Sequence, residues 1–242
     1  IIENVSFSFG LKEILKDINF TLEKGKVVSI VGPSGGGKTT LLHLCAKLLT
    51  LEDGKIKNNF KSSSFAFQEA RLLPWKNVID NISLGLRAQN IKKAKADDLV
   101  KKIALKFGLE EDDFEKFPKD LSGGMKQRVS LPRALVLNPS ILFLDEPFSA
   151  LDIGLKKELQ NLLINEIETN KLSILFITHD LMEAIRLSDE ILVLKAEPVG
   201  HIVKSFKVKM PRINRDDNFV YEQTAKLLSN EYIINTFELG FK

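Results

Sequence analysis

Gly32-Pro33-Ser34-Gly35-Gly36-Gly37-Lys38-Thr39 fits the spacing G-x-x-x-x-G-K-[ST] at every fixed position. The apolar run Val27-Val28-Ser29-Ile30-Val31 comes just before it, and a helix-like run from Thr40 through Leu41, Leu42 and Leu44 to Leu48 follows. Strand, glycine loop and helix are the context in which that spacing has chemical meaning. Glycines let consecutive backbone N–H groups turn toward an anion with no side chain in the way. The helix that starts at the loop adds the positive end of its dipole. In such a loop Lys38 would reach the β- and γ-phosphates, and the Thr39 hydroxyl would hold Mg²⁺. A glycine-rich turn with a chance lysine would not bring both flanking elements with it. The stretch points to a bound nucleoside triphosphate.

Four further positions carry usable side chains. Leu144-Asp145-Glu146 ends an apolar run with two acids in series. Asp145 would hold Mg²⁺ through its water shell, and Glu146 could polarise a water for in-line attack on the γ-phosphorus. The plain alternative is a solvated acidic turn before Pro147. His179 follows Phe176-Ile177-Thr178 and precedes Asp180, a placement that favours contact with a γ-phosphate over a surface histidine. Gln68 closes Phe65-Ala66-Phe67 and could bind Mg²⁺ or the attacking water, or simply end an edge strand. Leu121-Ser122-Gly123-Gly124-Met125-Lys126-Gln127-Arg128 is a second anion site in outline. Ser122 is a good N-cap, and the glycines expose the first amides of the helix behind it. Nothing obliges this site to face the first loop of the same chain, and an isolated string of this kind is also an ordinary helix start.

The elements that hold these groups follow from periodicity. Ile1 to Leu22 alternates apolar and polar residues, as antiparallel strands with one wet face do. Glu23-Lys24-Gly25-Lys26 reads as a turn, and Asp53-Gly54 as a second one in a short hairpin before Ser62-Ser63-Ser64. From Val78 to about Leu137 the pattern is helical, with helices expected near Asp97–Phe107 and Gly124–Leu137, broken at Gly108, Pro118 and Gly123-Gly124. Ile141–Leu144, Ile174–Ile177 and Ile191–Leu194 are continuous apolar runs, with a helical stretch Leu155–Ile167 between the first two. That alternation implies a parallel sheet covered on both faces, with reactive groups at its carboxyl ends. Gly32, Gln68, Asp145 and His179 all fall there. The expected fold is α/β of the P-loop NTPase type: a mostly parallel sheet, an N-terminal antiparallel β-subdomain and an inserted helical subdomain. The chain divides into a single domain over 1–242, with 1–75 and 138–195 as the nucleotide-binding core, 76–137 as the helical part and 196–242 as a C-terminal extension.

Composition sets the outer bounds. Hydrophobic residues make up 44% of the 242 and charged residues 28%, as in ordinary globular domains. A formal net charge of +3 is too small to argue for nucleic acid by itself. Cys45 is the sole cysteine, so no internal disulfide forms, as in a reducing compartment. No apolar run approaches the roughly 20 residues of a bilayer span. The chain opens at Ile1-Ile2 with no signal-like pattern and no Met, so some leading residues are expected to be missing, and the protein reads as cytosolic.

Taken together, the phosphate loop, Gln68, Leu121–Gln127, Leu144-Asp145-Glu146-Pro147, Ser149-Ala150-Leu151-Asp152 and Thr178-His179-Asp180 occur in the order and approximate spacing of one family. The chain resembles the nucleotide-binding subunit of an ATP-binding cassette transporter over nearly its full length. The resemblance implies an ATPase binding ATP through Phe9 and Gly32, Pro33, Ser34, Gly35, Gly36, Gly37, Lys38, Thr39 and Thr40. Phe9 would stack on adenine, with Phe7 as its rival and a core phenylalanine the alternative for each. Glu146, His179 and Gln68 would be catalytic; Thr39, Gln68 and Asp145 would hold Mg²⁺. Two copies would pack head to tail, with Ser122, Gly123 and Gly124 acting in trans and Asp152 coupling the two sites. Gln68–Val78 and Met125 narrow the likeness to importers of nitrate, sulfonate, taurine and similar solutes. Leu72, Leu73 and Trp75 lie in a polar, proline-containing loop and need a covering surface, either the helical part itself or a partner. In that subfamily the loop receives a short helix of the membrane subunit. Two permease subunits, an extracytoplasmic solute-binding protein and a peripheral place on the cytoplasmic face of the membrane are implied, with no nucleic-acid partner.

Pro132 departs from the pattern, where alanine is expected. Inside a helix, proline deletes a donor and clashes with the preceding turn at a cost of about 3 kcal/mol, so a kink or a compensation is expected. In the tail, Gly200–Val208 reads as a hairpin strand and Phe219–Leu228 as a closing helix. Lys207, Lys209, Arg212 and Arg215 form a basic run, read as a solvated face in preference to a contact with lipid headgroups. The alternative function is a soluble cassette ATPase acting on nucleic acid or ribosomes, although such chains usually carry two cassettes or a long coiled-coil insertion. A regulator that binds without hydrolysing is disfavoured by Asp145, Glu146 and His179, and a GTPase by the lack of an Asn-Lys-x-Asp motif.

Overall fold

The computed structural model describes residues 1–149 and 151–239; Ala150 of the Ser149–Asp152 motif and the tail residues 240–242 lie outside the described residues. The described chain forms two compact units, Ile1–Phe60 with Ser173–Lys242 and Lys61–Leu172.

In the first unit, β1 (Ile2–Phe9) and β2 (Lys12–Phe20) pair antiparallel, and β4 (Asp53–Ile56) joins the other edge of β1. Val5, Phe7, Leu15 and Ile18 point inward while their neighbours stay wet, as the alternation requires. Asp53-Gly54 is therefore not a hairpin turn. It lies within β4, opposite β1 and remote from it in sequence, at a register shift between Glu3 and Ser6. Gly54 has φ +89, and a Cβ there would stand 2.3 Å from the Asn4 carbonyl oxygen. The glycine serves a bulge and a close backbone approach, the strand role that mimics a turn signal in sequence.

The same unit contains β3 (Val27–Val31), β7 (Ser173–Thr178), β8 (Glu190–Lys195) and β9 (His201–Lys207). β3 lies between β7 and β8, parallel to both, and β9 returns antiparallel along β8. Every residue of β3 and β7 is buried, as expected for strands covered on both faces. Helix α1 (Lys38–Cys45) packs on β7. It stops before Leu48, short of the apolar run. α6 (Leu181–Leu187), α7 (Asp217–Leu228) and α8 (Glu231–Phe237) close the other side, packing Ile185, Val220, Leu227 and Ile233 against Val31, Ile191 and Val193. α8 has no counterpart in the periodicity reading.

The basic run is not a solvated face. Arg212 and Arg215 are 8% and 4% exposed. Arg212 pairs with Asp189 at 2.7 Å. Arg215 donates to the carbonyls of Ile185 (2.7 Å), Ser188 (2.8 Å) and Met210 (2.9 Å), with longer contacts to Arg186 and Val208. Three of those carbonyls close the C-terminus of α6, where helix carbonyls lack donors and a cation is favoured. Only Lys207 and Lys209 of the run stay exposed.

In the second unit, β5 (Ser63–Ala66) runs parallel to β6 (Ile141–Asp145). Three helices, α2 (Val78–Ala88), α3 (Lys93–Lys106) and α4 (Gly123–Leu135), bury one apolar cluster that includes Ile82, Leu86, Val100, Leu109 and Val129. α5 (Ile153–Asn170) follows β6. Helix α4 runs through Pro132 without a break, and the Pro132 carbonyl still accepts from the Val136 amide at 2.8 Å. The lost bond is the one to the Arg128 carbonyl. Nothing in the structure explains why proline stands there.

Candidate functional site

The phosphate loop leaves β3 at Gly32. A Cβ there would lie 2.2 Å from the Leu194 carbonyl oxygen, so the start of the loop threads a gap only glycine fits. Gly37 is the N-cap of α1 with φ +89; it carries no side chain and caps nothing, which leaves the amides of Thr39 and Thr40 to an outside acceptor. Lys38 is 5% exposed, and its ammonium donates to the carbonyls of Gly32 (2.9 Å) and Pro33 (2.8 Å). Ser34, Gly35 and Thr39 are exposed; Pro33, Gly37 and Thr40 are half-buried and Gly36 is buried.

Elsewhere in this unit, His179 is exposed one residue beyond β7. Its neighbours fix the turn: Asp180 caps α6 through the amides of Met182 and Glu183, and Thr178 Oγ1 donates to the buried Glu183 carboxylate at 2.6 Å. Phe9 is 54% exposed and sets its ring edge-on to the buried Phe7, centroids 4.9 Å apart. Phe7 belongs to the core and Phe9 offers a free face.

The second unit gathers the other named residues. Asp145 ends β6 at 6% exposure. Glu146 then turns with φ +42, a left-handed conformation uncommon for glutamate, which takes it out of the strand's alternation. Gln68 Nε2 lies 3.5 Å from Glu146 Oε2. Gln127, on α4, donates from Nε2 to the Gln68 carbonyl at 3.0 Å. The 121–127 stretch is thus bonded to the backbone that carries Gln68, and Gln68 to the glutamate.

Ser122 caps α4 by accepting from the Met125 amide at 3.2 Å, and Ser122 and Gly123 are exposed. The amides of Gly123 and Gly124 in the first turn remain for an acceptor outside the helix. A Cβ at Gly124 would stand 2.4 Å from Leu155 Cδ2, so the glycine also admits the start of α5. Asp152 caps α5 through the Leu155 amide at 3.0 Å.

The loop from Gln68 to Val78 is tied down at several points. Arg133 donates to the carbonyls of Ala70 and Arg71, and the Arg71 guanidinium stacks 4.2 Å over Phe67. The fully buried Asn81 accepts from the Leu73 amide and donates to the carbonyls of Lys76 and Asn77. Leu72 folds back on the helical cluster and Leu73 is half-buried, whereas Trp75 is 69% exposed. Of the three, the tryptophan alone stays mostly in solvent.

Thr39, Asp145 and Gln68 supply hydroxyl, carboxylate and amide oxygens, the hard donors Mg²⁺ takes. Among the described residues no group of three or more His, Cys, Asp or Glu could hold a metal. Arg133 and Glu183 escaped the sequence reading, and Gln127 entered it only as a member of the 121–127 stretch. Their roles arise from partners distant in sequence or from burial, and no local spacing marks them.

The family described as ABC transporter matches residues 15–149, more than half of the chain. The chain belongs to the ABC transporter family. The cassette fold and ATP hydrolysis come with that membership. An ABC protein of Bacillus cereus, named aliphatic sulfonates import ATP-binding protein SsuB, is 38% identical over 240 residues, covering 96% of this chain and 91% of its own. The protein of the same name from Corynebacterium glutamicum is 39% identical over 221 residues, covering 91% and 89%. Among solved ABC structures, the dimeric post-hydrolysis state of the cassette MJ0796 bound to ADP and Pi gives a TM-score of 0.77 at 28% identity, over 86% of this chain and 98% of that one. No helix among the described residues is long and apolar enough to cross a membrane.

Proposed function

We propose that this chain is the ATP-hydrolysing subunit of an importer of small organic anions of the sulfonate class. The observation that carries the reading is its similarity, over about nine-tenths of both chains, to proteins named for sulfonate import. A soluble cassette ATPase acting on nucleic acid or ribosomes has no such support.

Lys38 and the amides opening α1 grip the β- and γ-phosphates, and Phe9 supports the adenine. Thr39, Asp145 and Gln68 would hold Mg²⁺, which would neutralise charge on the phosphates. Glu146 polarises the attacking water, Gln68 positions it, and His179 contacts the γ-phosphate. Two copies stack head to tail, Ser122, Gly123 and Gly124 of one meeting the γ-phosphate held by the other, with Asp152 joining the two sites. A permease helix on Trp75 and the Gln68–Val78 loop takes up the motion, and an extracytoplasmic binding protein delivers the solute. The pair works on the cytoplasmic face of the membrane.

Glu146→Gln tests the core of this reading. ATP binding should persist, turnover should fall by about 10²–10⁴, the scale of general-base catalysis, and nucleotide should trap a dimer on size exclusion. Wild-type turnover by that variant would refute the role of Glu146. Copurification with nucleic acid instead of membrane subunits would refute the importer.

A further inference from the structure

The tail builds a cleft that serves none of the chemistry above. It opens between α7 and the segment that follows β9, with a volume of about 750 Å³, within the roughly 300–1,000 Å³ typical of small-molecule sites. Phe206, Met210 and Phe219 give it an apolar wall, and Lys207, Lys209 and Lys226 line it with no carboxylate among the lining residues. None of these three lysines forms an ion pair among the described residues. The wall is held in shape by one buried group: Arg215 bonds the carbonyls of Ile185, Val208 and Met210, all of which line the cleft. The cleft thus gathers three positive charges without a counter-charge, and the apolar wall beside them stays wet. A single ligand relieves both costs if it joins a negative head to an apolar body.

We propose that this cleft binds a small amphiphilic organic anion, its alkyl chain against Phe206, Met210 and Phe219 and its acid head among the lysines. The site is separate from the nucleotide residues and stands whether or not the transported solute has been read correctly.

The chain has three methionines, and of these only Met210 lines the cleft. Full-length protein labelled with ¹³C at the methionine methyls is titrated with octane-1-sulfonate, with the Met210 signal assigned from Met210→Leu. The Met210 signal should shift saturably while those of Met125 and Met182 stay in place. Lys209→Glu combined with Lys226→Glu should weaken binding about tenfold or more, the equivalent of at least one charge-assisted hydrogen bond, with the circular-dichroism melt unchanged. A stationary Met210 signal would overturn the proposal. So would an equal response to inorganic sulfate, or to the neutral octyl glucoside. Sedimentation with phosphatidylglycerol vesicles, without any response to the free anion, would also overturn it and assign the lysines to a membrane surface.

Discussion

Arg215→Met removes a buried fork and keeps the stem. In the native chain the guanidinium has three short bonds to carbonyls, at 2.7 Å to Ile185, 2.8 Å to Ser188 and 2.9 Å to Met210. Each carbonyl left without a donor costs about 1–3 kcal/mol, and relief of the guanidinium's own desolvation returns part of that. A net loss of about 3–4 kcal/mol follows. With a urea slope of about 2–3 kcal/mol per M for a chain of this size, the unfolding midpoint should fall by roughly 1–2 M. Arg215→Lys supplies a charge but no planar fork and should recover less than half of the loss. Urea unfolding followed by far-ultraviolet circular dichroism measures all three proteins. A midpoint for Arg215→Met corresponding to less than about 0.5 kcal/mol of change, the ordinary range for surface sites, would refute the argument.

Gln127→Leu should lower kcat for ATP roughly two- to twelvefold with KM unchanged, because it removes one net hydrogen bond of about 0.5–1.5 kcal/mol that positions Gln68; an unchanged kcat in a steady-state phosphate-release assay would count against that link. Burial pushes the Cys45 thiol up to about 12, so at pH 8 a maleimide should label the protein only after urea is added, as mass spectrometry would show. For Asp113, burial opposes the charge, but the Lys116 ammonium at 2.7 Å and the Glu110 amide outweigh it and hold the carboxyl below its usual 3.8. A lowered folded value means the stabilisation is complete above pH 3.8 and is lost as acid titrates the folded carboxylate. Urea midpoints of wild type and Asp113→Asn should therefore differ at pH 6 and converge as the pH drops below 3.8.

What could be read directly from the sequence was whatever local chemistry determines. The phosphate loop, β3 before it and α1 behind it are set by adjacent residues, and they stand where the spacing put them. β6, β7 and β8 were equally plain, because strands buried on both faces leave uninterrupted apolar runs. Features decided by distant partners were not readable. Asp53-Gly54 has the composition of a turn, yet it takes its place from Asn4 on another strand. Arg212 and Arg215 are ordinary surface residues by composition, and only Asp189 and the end of α6 make them interior ones. Gln127 reads as one more polar residue on a helix until the Gln68 carbonyl, 59 positions earlier, is seen to accept a hydrogen bond from its amide. Leu72 and Trp75 sit three residues apart in one loop and have opposite fates, a matter of which side of the loop meets the helical cluster.

The bracing of the Gln68–Val78 loop bears on the permease contact proposed above. A slack loop ending in an aromatic ring would bend when pulled and dissipate the stroke as heat. This one is lashed to α2 by Asn81 and to α4 by Arg133, so Trp75 stands out like a cog tooth on a stiff wheel. A permease helix seated there, as proposed above, would then be carried along with α2 and α4 and lose little of their travel to slack.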